Sequence, residues 1–399
     1  FVLREPLVKW LAEQFNANTP WNQFVFNLVT ATGTVDENPA VTYFLANRSV
    51  DKLTDGVTQH FLGIQLQCAQ CHNHPFTEWK QTEYWGVAEF FARVQPQNPK
   101  NANKGGDNTK IGVSEGTNRT KLKDFFPESA KAVPPKFLGG DVAKLDASQP
   151  ARPVLARWMT APDNKFFAKA MVNRTWAQLY GSGFVNPVDD MHDGNVPSHP
   201  ALLDAIARDF SRNGYDVKFL TKSIMLSAAY QRSSKPAAGN EKDDDLFSHQ
   251  AVRVMSPEQL FDSLAQSTGF AKQAAERMKN PMMKGQPSGP RDQFVQFFLA
   301  GADATDPTQY ESGIPQALRL MNSPRFSGGP QAARLYATGR GDDPKVVLEK
   351  IYLATLSRRP TAAEVTRMTE YVTKAGTPFD GYGDVLWAIL NSSEFTMIR

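Results

Sequence analysis

The chain has 399 residues, with 44 lysines and arginines against 41 aspartates and glutamates, a formal net charge of +3. Charge so evenly balanced excludes a protein held to nucleic acid by its overall field, and no nucleic-acid partner is expected. A hydrophobic share of 41% with 21% charged residues, a mean hydropathy of −0.43 and no apolar run of eighteen residues mark an ordinary globular chain and exclude a membrane-spanning helix.

The sequence opens on Phe1 inside an amphipathic stretch (Val2, Leu3, Leu7, Trp10, Leu11), which reads as a helix entered part-way and so as a chain truncated at its start. Thr19-Pro20 reads as the cap of a helix through Phe24, Phe26, Leu28 and Val29, with Pro20 at its first position. A second helix is expected from about Asp51, with Leu53, Val57, Phe61, Leu62 and Ile64 on one stripe, running straight into the chain's only two cysteines. Pro75 breaks the pattern, and Trp85, Val87, Phe90 and Phe91 mark a third helix. From 95 to about 150 Asn, Lys, Gly, Ser and Pro dominate. Residues 99–106 have no apolar period, and a short strand is possible near 111–113.

The helical period returns at Ala151, with helices expected over 152–159, 166–180, 200–212 and 217–227. Ser256-Pro257-Glu258-Gln259 and Thr361-Ala362-Ala363-Glu364 read as capping boxes, residues 280–290 as a loop, and Val385, Leu386, Trp387, Ile389 and Leu390 as a last helix. The expected fold is mainly α: two helical domains (1–94 and 151–399) joined by a long irregular, loop-rich segment (95–150).

Chemistry concentrates in Cys68-Ala69-Gln70-Cys71-His72. Two cysteines and six histidines scattered at random in a chain of this length would make that pattern roughly one time in 13,000. On a helix the three side chains share one face. Two thiols can then add to the vinyl groups of a haem while the imidazole reaches the iron, the spacing of c-type attachment. Zinc held by Cys68, Cys71 and His72 or His74 is an alternative, although no second Cys/His pair follows at finger spacing. A redox dithiol or a buried structural pair are the others. No Met lies between 73 and 158. A sixth iron ligand would therefore come from His192, His199 or His249, or the position stays open.

Asp189-Asp190-Met191-His192-Asp193-Gly194-Asn195 suggests a second metal site at Asp189, Asp190 and His192. Met191 and the missing closing Glu break the EF-hand pattern, and turn chemistry accounts for most of the run. A hydrolase acting through these residues lacks a nucleophile, and no complete catalytic constellation is recognised. Asn173 and Arg174 read as a helix-packing network.

Gln67-Cys-Ala-Gln-Cys-His-Asn-His-Pro-Phe76, with Tyr84 and Phe90-Phe91, resembles the planctomycete cytochrome-associated family, domain of unknown function 1549. Ala170-Met-Val-Asn-Arg-Thr-Trp176, Gly181-Ser-Gly-Phe-Val185, Asp189-Asp190, Asn195-Val-Pro-Ser-His-Pro200, Tyr230-Gln-Arg-Ser-Ser234, Leu318-Arg-Leu-Met-Asn-Ser-Pro324 and Asn391-Ser-Ser-Glu-Phe395 resemble its companion, family 1553. The resemblance implies an exported protein of the periplasm or cell surface, often joined to a separate cytochrome c domain. The expectation is a c-type haem protein with Cys68, Cys71 and His72 at the cofactor and His74 beside them. Its role would be electron transfer, with a cytochrome c domain or an exported redox enzyme as partner. The alternative is a cell-surface binding or scaffold protein with structural zinc at the same cluster.

Overall fold

A computed structural model describes residues 4–97, 110–116, 133–146, 149–243, 245–270, 289–299, 313–323, 328–339 and 341–398. The start of the first expected helix, residues 99–106 and most of the 280–290 loop lie outside them. The fold is mainly α, in two compact units, Phe1–Gln250 and Ala251–Arg399.

In the first unit the order is α1 (Arg4–Asn16), α2 (Trp21–Val29), β1 (Gly33–Thr34), α3 (Thr42–Ala46), α4 (Val50–Val57), α5 (Gln81–Ala88), β2 (Val94–Gln97), β3 (Gly112–Glu115), α6 (Arg152–Met159), α7 (Phe167–Tyr180), α8 (Pro200–Arg212) and α9 (Val217–Met225). The strands form one antiparallel sheet in the order β1-β3-β2, with Gly33 opposite Val113 and Val94 opposite Glu115. Pro96, which has no N–H to give a ladder, lies on the edge strand β2.

The α2 boundary differs by one residue from its sequence reading. Pro20 is the cap position and Trp21 the first helical residue, while the Thr19 hydroxyl donates to Gln14 Oε1 at 2.9 Å instead of capping. The expected 51–64 helix is α4 continued by one wider π turn, Thr58–Leu62. Its stripe is buried as read, from Leu53 through Val57 and Phe61 to Leu62.

One core joins Trp21, Phe24, Phe44, Tyr84 and Phe90 to Phe167, Trp176 and Phe210. Residues on both sides of 95–150 therefore share it, and the division between units falls at 250/251, not across that segment. Arg152 supplies a physical reason. Its side chain is fully buried, donates from Nε to Glu115 Oε2 at 2.9 Å and from Nη1 to the carbonyls of Val29 (3.1 Å) and Ala31 (2.9 Å), and lies 4.6 Å over the Phe44 ring. A buried guanidinium demands such partners, and these come from the end of α2, from Ala31 just beyond it and from within the polar segment.

The second unit contains β4 (Arg253–Val254), α10 (Pro257–Thr268), α11 (Pro290–Leu299), α12 (Ile314–Asn322), α13 (Gly329–Ala333), α14 (Pro344–Leu356), α15 (Ala362–Lys374), α16 (Pro378–Leu390), α17 (Ser393–Thr396) and β5 (Met397–Ile398). Both expected capping boxes form, at Ser256 and Thr361. Helices α13 and α16 meet at Gly383, where a Cβ would come within 2.6 Å of the Gly329 carbonyl carbon. Leu264, Phe294, Leu348, Tyr382 and Leu386 lie in this unit's core. No helix among the described residues is long and apolar enough to cross a membrane.

Candidate functional site

The π turn ends at Gly63, whose φ of +67° suits a residue without a Cβ. A Cβ there would stand 3.2 Å from Ala170 Cβ and 3.4 Å from Met191 Sδ. The chain therefore leaves its helix before the cysteines, correcting the expectation of one continuous helix. Gln67–Gln70 forms a single 3-10 turn, with Cys71 as its C-terminal cap. Cys68 lies within this turn and Cys71 closes it. His72 follows beyond the turn.

Helix α5 holds this turn by its backbone. Gln81 Nε2 donates to the Cys71 carbonyl at 2.7 Å and Trp85 Nε1 to the Gln70 carbonyl at 3.0 Å. Asn73 Oδ1 accepts the Gln81 N–H at 3.0 Å, and the His74 N–H donates to the Trp79 carbonyl at 2.8 Å. Buried Leu66 and Ala69 anchor the turn from below. The carbonyls of Gln70 and Cys71 are thus bonded while Cys68 and Cys71 remain free, exposed thiols.

The histidines differ in what their ring nitrogens can offer. His72 is exposed, and its Nδ1 lies 2.7 Å from the Asn73 carbonyl oxygen. A carbonyl only accepts, so Nδ1 carries the proton and Nε2 keeps a lone pair, the arrangement found in metal-ligating imidazoles. His74 Nδ1 accepts the Phe76 N–H at 3.3 Å, which places the proton of the neutral ring on Nε2 and leaves no ready lone pair. Desolvation first, with contributions from His192 and His72 against Asp190, holds the His74 imidazole below its ordinary pKa. His192 resembles His74: Nδ1 accepts the Gly194 N–H at 3.1 Å, and Nε2 lies 3.8 Å from Asp190 Oδ2.

The acidic loop is brought beside the motif. The Met191 N–H donates to the Gly63 carbonyl at 2.9 Å, and the charges of Asp190 and His192 act on His74. Asp189 is separated from any shared metal role by its partner. It is buried and ion-paired at 2.5 Å with Arg174, which also donates to the carbonyls of His60 (2.5 Å) and Gln59 (3.2 Å). Asn173, fully buried, bonds the Val185 and Val188 carbonyls, each at 2.9 Å, and accepts the Val185 N–H at 3.0 Å. The network expected of Asn173 and Arg174 is therefore present, and it builds the loop that carries Asp190 and His192. Among the described residues no group of three or more His, Cys, Asp and Glu side chains is gathered to hold a metal ion. His199 caps α8 by position and packs its ring near Phe184 and Phe247.

Sequence reasoning passed over Gln81 and Trp85, which carry no local signal of a partner ten or fifteen residues back. It also missed a cleft of about 590 Å³ flanking the loop. Glu78, Trp79 and His192 line it, whereas Cys68, Cys71 and His72 do not. It is a separate feature from the Cys68–His72 segment.

A mainly α protein with an exposed, backbone-clamped Cys/Cys/His turn is the class these observations define. The chain belongs to the family described as PSD1, protein of unknown function (DUF1553), which matches residues 151–372. Residues 3–96 match PSCyt2, protein of unknown function (DUF1549). No curated protein and no solved structure matches the chain.

Proposed function

We propose that this chain is an exported c-type haem protein that passes single electrons to or from a cytochrome c domain or an exported redox enzyme. Cys68 and Cys71 would carry thioethers to the two vinyl groups, and His72 Nε2 would ligate the iron. The observation that carries this reading is the His72 Nδ1 contact with the Asn73 carbonyl at 2.7 Å, which leaves Nε2 as the accepting nitrogen beside two exposed thiols. Two thiols and a histidine are the side chains such a group takes. Bound there, haem would supply one-electron redox chemistry, and the chain's own part is to hold both thiols on one turn and orient the imidazole. Exposure of both thiols also suits maturation after export, outside the cytoplasm.

The test is expression with export in a host that forms haem thioethers. Expected are a pyridine haemochrome spectrum and one haem mass on the peptide carrying both cysteines, each lost in Cys68→Ser/Cys71→Ser. A colourless protein with an unmodified peptide overturns the proposal. Stoichiometric zinc on that unmodified peptide would replace it with a scaffold protein using a structural metal.

A further inference from the structure

The cleft beside the motif loop is built from four stretches far apart in sequence: Glu78–Glu83, residues 138–140, residues 158–169 and residues 185–204. Its volume of about 590 Å³ lies within the range of small-molecule sites, roughly 300–1,000 Å³. Trp79, Trp158 and Phe166 give it an aromatic lining. Trp79 and Phe166 meet edge to face at 6.2 Å, and Trp158 is fixed from behind by stacking on Phe137 at 5.2 Å. Trp79 is only 4% exposed.

The charges lining it are lopsided. Glu83 is neutralised by Lys136 at 3.3 Å and Asp204 by Lys169 at 2.5 Å. Exposed Glu78, Asp163 and Asp193 then face one exposed ammonium, Lys165: three negative charges against one positive, in a chain whose net charge is +3. An anionic ligand is repelled by that balance. Concave walls of one sign concentrate ions of the opposite sign, and aromatic faces attract organic cations.

We infer that this cleft binds a small organic polycation of the aliphatic polyamine class. Its ammonium groups meet Glu78, Asp163 and Asp193, and its methylene chain lies along Trp158 and Phe166. The inference is independent of the haem proposal, because the cleft shares no lining residue with Cys68, Cys71 or His72.

Calorimetric titration of the full chain with spermidine tests it. Saturable one-to-one binding is expected, weakening at least about fivefold between roughly 20 and 300 mM salt. The Glu78→Gln/Asp163→Asn/Asp193→Asn variant, whose three side chains are exposed and leave the core intact, is expected to weaken binding about tenfold or more. Lys165→Ala is expected to tighten it, a response that a merely structural lysine would not produce. Absence of binding at about 5 mM spermidine, the millimolar limit of a useful site, overturns the inference. So does binding unchanged in the triple variant, or preference for a neutral trisaccharide such as maltotriose.

Discussion

Two sets of polar residues in the first unit are arranged in opposite ways. Arg152, Glu115 and Asn173 are buried, with most of their polar atoms bonded inside the protein, and what they hold is scaffold: α2, β3 and the loop after α7. At the Cys68–His72 turn the backbone is fastened while the side chains stand in solvent. The contrast teaches that burial of a polar group here marks a structural assignment. Exposed groups on a rigid backbone are the ones left to meet a ligand. Asp189 and Asp190 repeat the lesson in adjacent residues, the first buried on Arg174 and the second partly open beside His192.

The contrast can be broken hardest at Arg152. Arg152→Ala leaves Glu115 buried without its partner and should cost about 3–5 kcal/mol; a loss below about 1 kcal/mol in urea unfolding would show that the pair is no anchor. Asn173→Ala strands two carbonyls and one N–H and should cost about 2–4 kcal/mol, with faster hydrogen exchange at Val185 as the local signature. Unchanged exchange there would detach Asn173 from the loop.

Asp55 sharpens the comparison through pH. Burial pushes its carboxyl from an ordinary 3.8 to about 6, against a hydrogen bond from Tyr84 that lowers it. The native state then holds this proton more tightly than the unfolded chain. Its contribution is fully present below pH 3.8 and is lost as pH rises towards 6. Asp55→Asn should therefore match the native protein near pH 4 and exceed it by about 1–2 kcal/mol at pH 8, after discounting for partial solvation. Equal denaturation midpoints at both pH values would count against a desolvated carboxyl. The smallest effect on folding is expected at the motif itself. Cys68→Ser/Cys71→Ser should change stability by no more than about 0.5 kcal/mol; a large loss would mean that the thiols are structural after all.

Much of the helical framework was legible in the residues. Helices α6 and α8 have the bounds read for them, Arg152–Met159 and Pro200–Arg212, because a proline in the first turn punctuates each start. The boxes at Ser256 and Thr361 form because their signal is local. Residues 95–150 read as a boundary because they are polar. Yet Glu115 within them is buried against Arg152, an encounter between residues 37 apart that composition does not reveal. The conformation of the motif was not legible. The π turn ends at Gly63 in a left-handed conformation, where Ala170 and Met191 leave little room for a Cβ.

From residue types and spacing alone came the mainly α class and most helix starts, which depend on neighbours within one or two turns. The tertiary structure alone decided which histidine keeps a lone pair on Nε2, which aspartate is buried on Arg174, and that a negatively charged aromatic cleft lies beside the loop. Those outcomes depend on hydrogen bonds, packing and electrostatic fields whose geometry, often between groups distant in the chain, exists only once the fold has formed.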